Sequence, residues 1–94
     1  MSIFIKEMIK NKLKQLSPEE ILYYGKQYGF SVTETEAQSI STYVRRNPVD
    51  PFNKNSQEKM FKQLAGITNT ETAKKAQNLF YELIKTYGLE HLFN

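Results

Sequence analysis

Apolar residues recur along this chain at i, i+3, i+4 and i+7 and nowhere alternate with period two, so the pattern predicts helices and no strand. Ile5, Met8, Ile9, Leu13 and Leu16 share one face of a first helix. Ile21, Leu22, Gly25 and Tyr28 share one on a second, with Tyr24 beside them. Ala37, Ile40 and Val44 mark a third, flanked by Tyr43, and Met60, Phe61, Leu64 and Ala65 a fourth. The longest run is Ala73, Ala76, Leu79, Phe80, Leu83, Ile84 and Tyr87. Five helices are expected, over about 3–15, 18–28, 34–46, 56–65 and 69–87.

The polar punctuation agrees with these limits. Ser17-Pro18-Glu19-Glu20 reads as an N-cap, a Pro at the first helical position and a Glu closing a capping box. Thr33 to Glu36, Asn55 to Glu58 and Thr68 to Glu71 have the same form, and Ser2 is expected to cap the first helix. Gly29, Gly66 and Gly88 each precede an apolar residue, which is the pattern of a left-handed helix stop. Between the third and fourth helices, Pro48 and Pro51 push Asn47 and Asp50 into extended backbone. The result is a stiff connection, with Phe52 expected to be buried and to pin it.

Residues 29–35 and 66–72 share a Gly-apolar-…-Thr-Glu-Thr pattern, 37 positions apart. Two similar helical hairpins would give it, as would two independent uses of the same capping chemistry.

Ninety-four residues make one expected domain, 1–94, all-α, an irregular bundle of about five short helices. Six Phe and six Tyr with no Trp imply an aromatic-rich core. The absence of Cys excludes disulfides, thiolate metal sites and Cys nucleophiles, and leans toward a reducing cytoplasm. No apolar run approaches the roughly 20 residues of a membrane span, and Lys6 and Glu7 interrupt the short one at the start.

Catalytic or metal chemistry needs carboxylates or imidazoles gathered together. Of ten Asp and Glu, Glu19, Glu20, Glu34, Glu36, Glu58 and Glu71 are expected in first helical turns, where they complement the helix dipole. His91 stands alone, and the four Gly form no phosphate loop. No enzymatic activity, cofactor or metal is expected.

The basic residues are the candidate binding surface. Lys6, Lys10 and Lys14 repeat every fourth residue beside the apolar face of the first helix, as a cationic amphipathic helix does. A solvated face would look the same. Arg45 and Arg46 end the third helix, where they suit the dipole and could also hold phosphate or carboxylate. The net charge of +3 is only mildly basic for a nucleic-acid binder.

A helix-turn-helix fits poorly, because its apolar positions fall on Thr35 and Thr72. Residues 17–46 resemble SAP-type DNA-binding modules in the spacing of Leu22, Gly29-Phe30, Ala37 and Ile40. That module's small residue and Lys are replaced here by Glu34 and Glu36, which would repel phosphate. A wider resemblance rests on Leu16-Ser17-Pro18-Glu19-Glu20, Gly29-Phe30-Ser31-Val32-Thr33 and the run Arg45 to Phe52. With these the chain is similar to the YqfT-like family of spore-forming Gram-positive bacteria. The resemblance implies a bacterial cytoplasmic protein and carries no activity or site residue with it.

The expected function is non-catalytic binding of another protein or of a second copy, since so short a chain gains stability by docking. The alternative is nucleic-acid binding through Lys6, Lys10, Lys14, Arg45 and Arg46.

Overall fold

A computed structural model describes residues 2–47 and 49–92, with side chains from Phe4 onward. It contains five α-helices: α1 (Ser2–Lys14), α2 (Pro18–Tyr28), α3 (Glu34–Arg46), α4 (Lys54–Ile67) and α5 (Thr70–Thr86), then a 3-10 turn over Glu90–Leu92. The all-α expectation holds, and the irregular bundle measures 36 × 24 × 23 Å. Its helices pair along the chain, α2 on α3 and α4 on α5, and α3 also touches α1 and α4.

Two predicted capping boxes are formed in full. The Ser17 hydroxyl accepts from the Glu20 amide at 3.1 Å and the Glu20 carboxylate accepts from the Ser17 amide at 3.1 Å. Thr33 and Glu36 exchange the same pair of bonds at 3.1 and 2.9 Å. Gly29 (φ +80) and Gly88 (φ +62) are left-handed stops. Past them, the amides of Phe30 and Leu89 reach back to the carbonyls of Gly25 and Ile84 at 2.7 and 2.9 Å.

The other expected ends are corrected. Ser2 is already helical rather than a cap. Asn53, not Asn55, caps α4 by accepting from the Ser56 amide at 3.0 Å, so Glu58 falls outside the first turn. The earlier start frees the Ser56 hydroxyl to accept from the Asp50 amide at 2.9 Å. Gly66 is not a stop: it lies inside α4, and its φ is not positive. Thr68 closes that helix instead, its amide and hydroxyl both donating to the Leu64 carbonyl at 2.9 and 2.7 Å. Asn69 then caps α5 by accepting from the Thr72 amide at 2.7 Å.

The connection before α4 is anchored as expected. Phe52 is fully buried and packs with Ile84 and Leu92, against Ile5, Ile9, Phe80 and Leu89. The Asp50 carboxylate accepts from the Phe52 amide at 3.0 Å, a local turn that aims the ring inward. Pro51 is buried beside it, while Pro48 lies outside the described residues. Buried Gln57 links this segment to two helices, donating to the Pro51 carbonyl at 3.1 Å and accepting from the Tyr81 hydroxyl at 3.0 Å.

The interior is less filled than the periodicity implies. Phe61 and Phe80 meet edge to face with centroids 6.1 Å apart, and Phe52 lies deeper. Met8 and Tyr87, expected on inward faces, are instead 65% and 69% exposed.

Candidate functional site: an apolar cleft and a polar groove

The inward faces of the five helices do not close on one another. They leave a half-open cleft of about 470 Å³ to which every helix contributes. Ile9 and Leu13 of α1, Leu16 of the following turn, and Ile21, Tyr24 and Tyr28 of α2 line it on one side. Leu64 and Ile67 of α4 and Leu79 and Leu83 of α5 line it on the other, with Ile40 and Val44 of α3 between. Tyr24, Tyr28 and Leu83 line the cleft and are also exposed.

The cleft offers almost no polar chemistry. Its one ionic lining residue, Lys12, donates to the Glu20 carboxylate at 3.0 Å and so ties α1 to α2. That hydrogen bond and the Glu20 charge raise the Lys12 pKa above its ordinary value. The same bond, with the Ser17 amide, lowers the Glu20 pKa.

The five candidate basic residues do not form one surface. Lys6 is half-buried with its ammonium 6.0 Å from the centre of the Phe52 ring, so it belongs to the packing of α1. Lys10 pairs with Glu7 one turn back at 3.5 Å. Lys14 is exposed near the end of α1. At that same end the buried Ser41 hydroxyl donates to the Leu16 carbonyl at 2.7 Å, and Arg45 donates to Ser41 at 3.2 Å. The stripe therefore divides: Lys6 packs on Phe52, Lys10 pairs with Glu7, and Lys14 stands in solvent.

Arg45 and Arg46 line a second, open groove of about 690 Å³ whose floor is the outer face of α3. Thr35, Gln38, Ser39 and Thr42 continue that floor, with Pro18 and Ile67 at its edges. Sequence reading missed both depressions. Periodicity identifies the inward faces, but whether they meet depends on helix placement. The polar residues between Thr35 and Thr42 carried no charge signal. Among the described residues no group of three or more His, Cys, Asp or Glu is placed to hold a metal ion, and no helix is long and apolar enough to cross a membrane.

Comparison with known proteins places this geometry on a recognised type of chain. Residues 1–84 match the family model described as "Protein of unknown function (DUF2624)". The chain is 32% identical over 78 residues to the "Uncharacterized protein YqfT" of Bacillus subtilis (strain 168), covering 83% of this chain and 93% of that protein. No solved structure matches it.

Proposed function

The chain belongs to the DUF2624 family, and from that premise and its geometry we propose that it is a non-catalytic bacterial interaction module of the cytoplasm, whose apolar cleft receives an apolar segment of a protein partner or of a second copy. The observation carrying this reading is the cleft itself, half-open, apolar and lined from all five helices.

Its size lies within the range of binding clefts, about 300–1,000 Å³. Its chemistry favours a protein segment over a small metabolite. Small-molecule pockets fix their ligands with a few converging polar groups, whereas the charged group here is engaged by Glu20. An amphipathic helix needs only an apolar trough for its i, i+3, i+4 and i+7 side chains, with amphipathic rings such as Tyr24 and Tyr28 at the mouth.

The test compares the native chain with a Leu83→Glu variant, which sets a charge at the mouth of the trough. Sedimentation over a range of concentrations reads self-association, and affinity capture from a Bacillus lysate reads partners. A second copy or a discrete partner should be bound by the native chain and lost at least tenfold in the variant, about 1.4 kcal/mol. A monomer whose captured proteins are the same with and without Glu at position 83 refutes the reading.

A further inference from the structure

Beyond the apolar cleft, we infer that the groove on α3 binds single-stranded nucleic acid, with Arg45 and Arg46 taking backbone phosphates. Three features of the groove support this.

The first is charge without compensation. Neither arginine is paired with a carboxylate among the described residues, and no Asp or Glu lines the groove. Arg45 is oriented by its bond to buried Ser41, which is itself held by the Leu16 carbonyl. Its remaining donors are free to address an oxyanion. Glu34 and Glu36 lie at the other end of α3, roughly 15 Å away at the helical rise per residue.

The second is the run of neutral hydrogen-bonding groups. Thr35, Gln38, Ser39 and Thr42 follow one face of α3 at helical spacing and are all exposed. These side-chain types contact sugars, phosphates and base edges. A lone phosphate would need only the arginine end.

The third is shape. Pro18 of α2 and Ile67 of α4 line the groove together with the face of α3, so residues of both neighbouring helices flank it. A recognition helix must protrude to enter a major groove. A single strand can instead lie along the floor.

The experiment measures anisotropy of a short labelled DNA or RNA single strand, and of its duplex, with the full chain. The single strand should bind at least tenfold more tightly than the duplex. Two phosphate contacts predict about a 7-fold loss when salt is raised fourfold from about 50 mM. Arg45→Gln with Arg46→Gln should weaken binding at least tenfold. Because Arg45 also supports Ser41, Arg46→Gln alone should weaken it at least threefold. Leu83→Glu should leave it unchanged, which separates this site from the apolar cleft. Absence of binding, equal binding by the arginine variants, preference for duplex, or displacement by inorganic phosphate at equal phosphate concentration would each overturn the inference.

Discussion

A Cβ at position 29 meets no neighbour, yet φ +80 would force a side chain into left-handed backbone. Gly29→Ala should therefore lower stability by about 1 kcal/mol. Gly66→Ala should do the opposite. It is exposed inside α4, nothing lies within 4 Å of an added Cβ, and Ala restricts the unfolded chain. A gain of about 0.5–1 kcal/mol follows. Urea midpoints of the two variants, moving in opposite directions, check both values. The two glycines have nearly the same local sequence. What separates them is Thr68, whose hydroxyl takes the Leu64 carbonyl and lets α4 run on past Gly66. At Gln57 the consequence is larger. Its amide satisfies the Pro51 carbonyl and the Tyr81 hydroxyl at once, so Gln57→Ala should cost about 1–3 kcal/mol, read from the same midpoints. A buried Gln one turn into a helix leaves no mark in a hydropathy pattern, and neither does buried Ser41.

Among the elements, α1 is the one whose role changes most between sequence and structure. Its basic stripe looks uniform at every fourth residue, but Lys6 lies over Phe52 while Lys14 is in solvent. Lys6→Glu should therefore destabilise by about 0.5–1 kcal/mol more than Lys14→Glu. Equal melting curves for the two would contradict the packing of Lys6. The link from α1 to α2 has a pH signature. The Glu20 pKa in the folded chain is held below its ordinary 4.5. Its contribution is thus present above that value and is lost as pH falls through the lower folded pKa. The Lys12 pKa is raised above 10.5, so its share is present below that value and is lost as pH rises through the higher folded pKa. A Glu20→Gln variant should show a shallower loss of stability below pH 4.5 than the parent. Helix starts and stops were legible because capping is local chemistry, as Ser17-Glu20 and Thr33-Glu36 demonstrate. The starts of α4 and α5 shifted because Asn53 and Asn69 outcompete the polar residues beside them.

For the whole molecule, the decisive feature is how the helices are placed. Two helix pairs meet through α3 around a half-open apolar trough, where Tyr24 and Tyr28 of α2 and Leu83 of α5 are exposed. The amphipathic pattern could show that Leu79, Leu83, Tyr24 and Tyr28 turn inward. It could not show that their faces stay apart, because that depends on loop lengths and on Phe52 drawing α1 and α5 together at one end. The proposed function requires this trough to receive a protein segment. The most direct measurement places a photo-crosslinking amino acid at Leu83 in living bacteria, with Lys74, exposed on the same helix, as the control position. A discrete adduct of higher mass, containing a second copy or another protein, is expected from position 83 and not from position 74. Adducts that are absent, or the same at both positions, would contradict it.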